Sequence, residues 1–275
     1  MVITSIIISA LALALSMWMG RRNPVKSSGL TAGMLVLLML APLLLWMPKI
    51  HLNVDLPWMP TEMIASEATK IFPEDTQKAT LDMMVVTLSV YGLISMFLLM
   101  RLCSHYLITR RWCREASLCD NLVDVDLLEN CAEQLKLKKL PELRFSEHVE
   151  SPVITGLMKP VLLLPTNATE WSEETLKMVM LHELGHVQRR DLWTSLAGQI
   201  ACALHWFNPL VWMLRKRLTH ECEYACDAHV ISSGAHPKNY INALCDVAEA
   251  CCDYKLKKTA PVSYTHLTLP TTPYV

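Results

Sequence analysis

The chain has 275 residues, of which 52% are hydrophobic and 19% are charged, and its formal net charge is −1. Soluble domains usually carry about a quarter charged residues, so this composition favours a membrane protein with a modest soluble part. The apolar content excludes a disordered chain. The near-zero net charge, without a segment rich in lysine or arginine, argues against direct nucleic-acid binding.

Three stretches near the N-terminus carry no charged side chain over the length of a membrane span: residues 2–19, 27–47 and 83–100. A helix rises about 1.5 Å per residue, so roughly 18 to 22 residues cross a hydrocarbon layer of about 30 Å. One such stretch could be a buried core helix, but three within the first hundred residues predict three transmembrane helices. The first is unlike a cleavable signal peptide, because its arginines follow the apolar run.

The charges that flank these stretches predict their orientation. The link after the first stretch and the segment after the third are basic, through Arg21, Arg22 and Lys26 in one and Arg101, Arg110, Arg111 and Arg114 in the other. The loop over residues 48–82 carries three lysines against six acidic residues. The positive-inside rule then places the N-terminus and this loop outside, and everything after Arg101 in the cytoplasm.

Cysteine usage agrees with that orientation. All 10 cysteines lie at or beyond Cys103, and none falls in the predicted outside loop. Thiols gathered on one side indicate a reducing cytosol rather than a disulfide framework. Cys222 and Cys226 stand one helical turn apart, and we interpret them as small buried apolar residues rather than metal ligands.

Residues 101–260 are long enough for one soluble domain, which we predict to be of α+β class with a small β-sheet. Residues 118–137 have helical spacing, with acids early and lysines late. Short apolar runs bounded by proline and glycine then predict strands at residues 143–145, 153–155 and 161–164. From Ser172 onward the pattern is helical again. The whole chain is therefore predicted to be a mainly α membrane protein with a cytoplasmic α+β domain.

Residues 182–186 read His-Glu-Leu-Gly-His within a helical segment that Ser172 is placed to cap. Positions four apart share a helix face, so His182 and His186 can present two imidazoles to one zinc ion. Glu183 is adjacent and is the predicted catalytic base, which takes a proton from a water on the metal. Matches to HExxH also arise by chance, but the apolar segment before this one favours a shielded site.

A catalytic zinc ion needs a third protein ligand and one open position. The downstream candidates are His205, His220, Glu221, Glu223, Asp227 and His229. Glu223 and Asp227 form an ExxxD pair one turn apart. We assign Glu223 as the third ligand and Asp227 as the acid that holds a zinc histidine in its correct tautomer. A solvated acid on a helix face is the alternative for Asp227, and His220 and His229 are left open as transition-state donors.

Residues 192–214 are apolar enough to be mistaken for a fourth span. A single crossing would place Glu223 some 30 Å from His182 and His186, whereas a zinc–ligand bond is about 2 Å. Both flanks of the run are basic, and Pro209 should break or kink a helix there. The prediction is a helical hairpin, buried in the domain or dipping into the inner leaflet.

Five blocks of residues together resemble the BlaR/MecR-type penicillinase antirepressor metallopeptidases. They are SPVITGLMKPVLLLP at 151–165, the HELGH helix, RRDL at 189–192, WFNPLVW at 206–212 and EYACD at 223–227. The resemblance implies a gluzincin-type domain facing the cytoplasm, with Zn²⁺ on His182, His186 and Glu223 and with Glu183 as base. It also implies that the strand near residues 161–164 binds substrate backbone by β-addition.

The same resemblance implies a multi-pass protein of the bacterial cytoplasmic (inner) membrane. Its partners would be the lipid bilayer and a cytoplasmic protein substrate, a transcriptional repressor that is cleaved in response to an outside signal. Two alternatives stay open. One is a housekeeping or quality-control membrane metallopeptidase, which shares HExxH and ExxxD. The other is a non-catalytic transmembrane receptor whose zinc site is only structural.

The last residues, 262–275, differ in composition from the rest of the chain. They contain no Asp, Glu, Lys or Arg, and they resemble a translated adaptor from sequencing-library preparation. We expect them to be a non-native tail. The natural chain is then expected to continue past about residue 261, into a further span and sensor domain or to an early stop.

Overall fold

The computed structural model of the chain describes residues 2–20, 24–45, 74–119 and 121–257. Most of the predicted outside loop, residues 48–73, and the predicted tail at 262–275 lie outside the described residues. The helices of the described part are α1 (Val2–Gly20), α2 (Pro24–Leu45), α3 (Glu74–Glu115), α4 (Leu122–Gln134), α5 (Glu173–Arg189), α6 (Asp191–Leu204), α7 (Pro209–Ser232) and α8 (Pro237–Lys257).

The predicted apolar stretches are helical in α1, α2 and α3 as far as they are described, since residues 46 and 47 of the second stretch lie outside the described residues. By length and composition, the part of α3 from Asp82 to Glu115 could cross a membrane, and 6% of its most apolar window is buried inside the fold. Shorter apolar helices cover Ser5–Met19 and Lys26–Leu40. Three membrane spans therefore remain a prediction, although the helices themselves are present.

Helix α3 does not stop at residue 100, where the predicted span ends. It begins at Glu74, inside the predicted outside loop, and continues to Glu115 as one helix of 42 residues. No proline interrupts it, and its one glycine, Gly92, lies within the apolar stretch. The change from apolar to basic side chains near Arg101 therefore does not coincide with the end of the helix.

Four strands form one small mixed sheet: β1 (Ser117–Leu118), β2 (Glu142–Ser146), β3 (Val153–Thr155) and β4 (Val161–Pro165). Their order across the sheet is β1-β2-β4-β3. Strands β2 and β4 are parallel, whereas β1 pairs with β2 and β3 pairs with β4 in antiparallel fashion. The three predicted strands are confirmed. The predicted helix from residue 118 is wrong at its start, because residues 117–118 form β1.

The turn between β3 and β4 requires glycine at one position. Gly156 has φ of 87°, a conformation that L side chains rarely adopt. A Cβ at this position would also overlap the backbone carbonyl of Lys159. This constraint fixes how β3 folds back beside β4.

The described residues divide into two compact units. The first unit comprises the described residues within Met1–Arg111 and Arg189–Asp227, and the second comprises those within Trp112–Gln188 and Ala228–Val275. This division differs from the predicted boundary at Arg101, because α6 and most of α7 belong with the N-terminal helices. Leu35 and Leu38 of α2 form one core cluster with Ala201 of α6 and with Val211 and Leu214 of α7.

Helices α6 and α7 form the predicted hairpin over residues 192–214. The helical conformation is interrupted between Leu204 and Pro209. Pro209 is the first residue of α7, a position where the missing backbone N–H of proline costs no helical hydrogen bond. At the hairpin tip His205 is fully buried. One ring nitrogen of His205 lies 2.8 Å from the Leu38 carbonyl oxygen and the other 3.0 Å from the Ser5 hydroxyl. The hairpin thus packs into the N-terminal helices.

Candidate metal centre

Helix α5 presents the two histidines of the HELGH motif one turn apart. Its first turn carries Glu173 and Glu174, as its dipole favours. The Ser172 hydroxyl accepts a hydrogen bond from the Thr175 amide at 3.1 Å, which confirms the predicted cap. The imidazole centroids of His182 and His186 lie 5.1 Å apart. Two imidazoles at this separation fit a shared zinc ion, which takes nitrogen ligands at about 2 Å.

The Glu183 carboxylate is held at the border of the sheet. One of its oxygens, Oε2, accepts a hydrogen bond from the backbone N–H of Ile154 in β3 at 3.1 Å. This contact fixes the direction of a side chain that would otherwise sample several rotamers. A carboxylate oriented in this way beside two imidazoles is suited to accept a proton from a reacting water.

The strand that was expected to bind substrate backbone lies inside the sheet. Strand β4, residues 161–165, lies between β2 and β3 and pairs with both. An interior strand has no row of unpaired N–H and C=O groups, so the expectation of β-addition at residues 161–164 is wrong. Strand β3 borders the sheet, and its Ile154 N–H points away from β4 toward Glu183.

Two of the six candidates for the third ligand are engaged elsewhere in the first unit. Both ring nitrogens of His205 take part in hydrogen bonds at the hairpin tip. The buried carboxylate of Glu221 accepts hydrogen bonds from Ser27 at 2.5 Å, Thr31 at 3.0 Å and Arg217 at 2.9 Å. Neither side chain therefore has its ligand atoms available for a metal.

The other four candidates, His220, Glu223, Asp227 and His229, all lie on α7. Glu223 and Asp227 are one turn apart, so they share a face of this helix. Glu223 belongs to the first unit, whereas His182 and His186 belong to the second. The assignment of Glu223 as ligand and of Asp227 as its support therefore stays a prediction.

Sequence reasoning missed a tyrosine that contacts the motif. The hydroxyl of Tyr240, in the first turn of α8, lies 2.9 Å from Nδ1 of His182. Tyr240 is 4% exposed. No motif in the sequence signals this contact, because 58 residues separate the two side chains and only the fold of the second unit brings them together.

Comparison with known proteins identifies the family. The model of a family described as BlaR1 peptidase M56 matches residues 3–267, which is nearly the whole chain. The chain belongs to the BlaR1 peptidase M56 family. The resemblance found in the five sequence blocks is thereby confirmed, and a metallopeptidase fold is the expected setting for the histidine pair of α5 and for Glu183.

Individual relatives match over a shorter region. The chain is 32% identical over 109 residues to the regulatory protein BlaR1 of Bacillus licheniformis, which is 40% of this chain and 18% of that protein. It is 28% identical over 106 residues to the methicillin resistance mecR1 protein of Staphylococcus aureus, again 18% of the relative. The matched region thus spans less than a fifth of the length of either relative.

Proposed function

We propose that this BlaR1 peptidase M56 family protein is a zinc endopeptidase in which His182, His186 and Glu223 hold one Zn²⁺ ion and Glu183 is the catalytic base. The observation that carries the proposal is local to the second unit. The same helix turn that pairs His182 with His186 also holds the Glu183 carboxylate against the border strand of the sheet. Two imidazoles that can share a zinc ion, beside a fixed carboxylate that can act as a base, fit the local chemistry of a zinc hydrolase.

Each of these residues would do a separate part of the chemistry. An extended peptide would add to β3, because this strand borders the sheet and its middle residue, Ile154, contacts Glu183. Glu183 would take a proton from the attacking water and return it to the leaving amine. A bound zinc ion would supply Lewis acidity, which polarises the scissile carbonyl and favours ionisation of water near neutral pH.

The cellular role that we propose is signal transduction at a bacterial cytoplasmic membrane. The three apolar helices would cross the bilayer with the N-terminus outside, and the peptidase would face the cytoplasm. Its substrate would be a cytoplasmic transcriptional repressor, by analogy with the names of the relatives, a regulatory protein and a resistance protein. Family membership and the histidine pair favour this role over a purely structural zinc site.

The first test compares Glu183→Gln with the wild-type chain. Glutamine keeps the size of the side chain and can still accept the Ile154 hydrogen bond, but it cannot take a proton. We expect the variant to bind about one zinc ion per chain, as the wild type does, and to lose peptide cleavage by a factor of at least about 100. Zinc content is measured by elemental analysis and cleavage on a library of cytoplasmic repressor peptides.

A second variant serves as the matched control. Glu173→Gln makes the same chemical change in the first turn of α5, where the side chain is exposed. It should retain both zinc and cleavage. A folded wild-type chain that binds no zinc would contradict the proposal, and zinc binding without any cleavage would favour a non-catalytic receptor.

A further inference from the structure

We propose that Tyr240 is a positioning residue for His182, because its hydroxyl holds Nδ1 and leaves Nε2 for the metal. This inference rests on the proposed zinc site. The decisive contact is the 2.9 Å separation between the Tyr240 hydroxyl oxygen and His182 Nδ1. Both residues belong to the second unit, so the contact lies within one compact body.

The hydrogen bond at Nδ1 of His182 matters because it decides which ring nitrogen can bind a metal. A neutral histidine carries a proton on one ring nitrogen and a lone pair on the other, and only the lone pair binds a metal. With Nε2 on the metal, Nδ1–H becomes the donor and the Tyr240 oxygen becomes the acceptor. A hydrogen bond of this kind fixes the tautomer and the ring orientation of a zinc histidine.

Tyr240 is itself held in place from several directions. Its backbone N–H donates to the His236 carbonyl at 3.0 Å, which begins α8. The neighbouring Asn239 donates from its side chain to Glu174 at 2.9 Å, so the first turn of α8 is fixed to α5. Asn167 donates to the Ala250 carbonyl at 3.3 Å near the other end of α8. The tyrosine hydroxyl is therefore presented by a helix anchored at both ends.

Burial distinguishes this contact from a chance surface contact. Tyr240 is 4% exposed, and a buried phenol hydroxyl needs a hydrogen-bond partner. Here the partner of the tyrosine oxygen is an imidazole of the HELGH motif. If the hydrogen bond served only to satisfy the tyrosine, its removal would destabilise the protein without changing metal affinity. The two roles can therefore be separated by experiment.

The experiment measures zinc affinity of the full chain in detergent, by competition with a chromophoric chelator. Tyr240→Phe removes the hydroxyl and keeps the ring. We expect its zinc affinity to fall about tenfold, near the lower end of the range for partners of metal ligands. The matched control is Tyr91→Phe, which removes a phenol hydroxyl that donates to the Leu204 carbonyl at 2.8 Å in the first unit, and whose zinc affinity should equal that of the wild type.

A second readout is the rise in melting temperature when zinc is added, compared within each variant so that a general loss of stability cancels. Tyr240→Phe should show a smaller rise than Tyr91→Phe. Equal zinc affinity and an equal rise in Tyr240→Phe and the wild type would overturn the role of Tyr240. A wild-type chain that binds no zinc would instead overturn the proposed function, so the two failures are distinguishable.

Discussion

At the scale of single residues, the proposed role of Asp227 in orienting a zinc histidine can be tested by zinc affinity. It is partly buried and stands one turn beyond Glu223 on α7. If it orients a zinc histidine, Asp227→Ala should weaken zinc affinity by about 10- to 100-fold. The affinity is measured by chelator competition on the purified full chain.

Asp126→Ala provides the comparison for this prediction. Asp126 is an exposed acid on α4, and its loss removes the same charge without touching the HELGH motif. Zinc affinity of this variant should match that of the wild type. Equal affinities for Asp227→Ala and Asp126→Ala would show that Asp227 is a plain surface acid.

Single residues also differ in whether a sequence pattern can predict their contacts. Helical spacing alone puts His182 and His186 on one face, and a hydroxyl residue before acids predicts the Ser172 cap. The pattern says nothing about Ile154 or Tyr240, because their contacts join residues 29 and 58 positions apart. Such contacts depend on how strands and helices pack, which local spacing does not encode.

At the scale of elements, α7 is fixed to the N-terminal helices by a buried polar cluster around Glu221. The carboxylate of Glu221 accepts hydrogen bonds from Ser27 and Thr31 of α2 and from Arg217 of α7. Arg217 also donates to the Ser16 carbonyl of α1 at 2.7 Å. These hydrogen bonds hold α7, the helix that carries Glu223, in a defined position against α1 and α2.

Removing this carboxylate should destabilise the protein strongly. In Glu221→Ala the Arg217 guanidinium loses its partner and two hydroxyls lose their acceptor, and such a loss costs about 3 kcal/mol. We expect the melting temperature in detergent to fall by roughly 10 °C. Scanning calorimetry or fluorescence-detected melting measures this change.

The control for the Glu221 prediction is Glu129→Ala on α4. Glu129 is exposed, and replacing an exposed glutamate in a helix changes stability by about 0.5 kcal/mol or less. An unchanged melting temperature in Glu221→Ala would mean that the cluster does not hold α7, and that apolar packing in the first unit suffices.

The sequence pattern predicts the strands but does not determine their order in the sheet. The residues of β3 and β4 are recognisable as strands from their apolar runs and the prolines around them. Which strand borders the sheet depends on the parallel pairing of β2 with β4, between elements far apart in sequence. The apolar pattern therefore does not reveal that β4, the strand expected to take a peptide by β-addition, lies inside the sheet.

At the scale of the whole molecule, the orientation in the membrane is the prediction with the widest consequences. The N-terminus and the loop over residues 48–82 are expected outside. All native cysteines are expected inside, because they lie at or beyond Cys103. An impermeant maleimide should therefore leave the wild-type chain unlabelled in intact cells and should label the variant Ser66→Cys.

Lysed cells supply the internal control for the labelling experiment. After lysis both chains should be labelled, because Cys103 and Cys245 are exposed in the fold. Labelling of the wild type in intact cells would place the peptidase outside and would exclude a cytoplasmic repressor as substrate. Protection of Ser66→Cys in intact cells would reverse the proposed orientation of the loop.

The sequence by itself determined the features that depend on local spacing and composition: the apolar helices, the histidine pair of α5 with Glu183 beside it, and the helical hairpin interrupted before Pro209. Helical and strand periods are properties of neighbouring residues, so a single chain reveals them. The tertiary structure alone decided that α6 packs with the N-terminal helices, that β3 borders the sheet, that Glu221 is engaged by α2 and that Tyr240 meets His182. Those outcomes come from packing between distant segments, where burial and hydrogen bonding select one arrangement among many that the same local pattern permits.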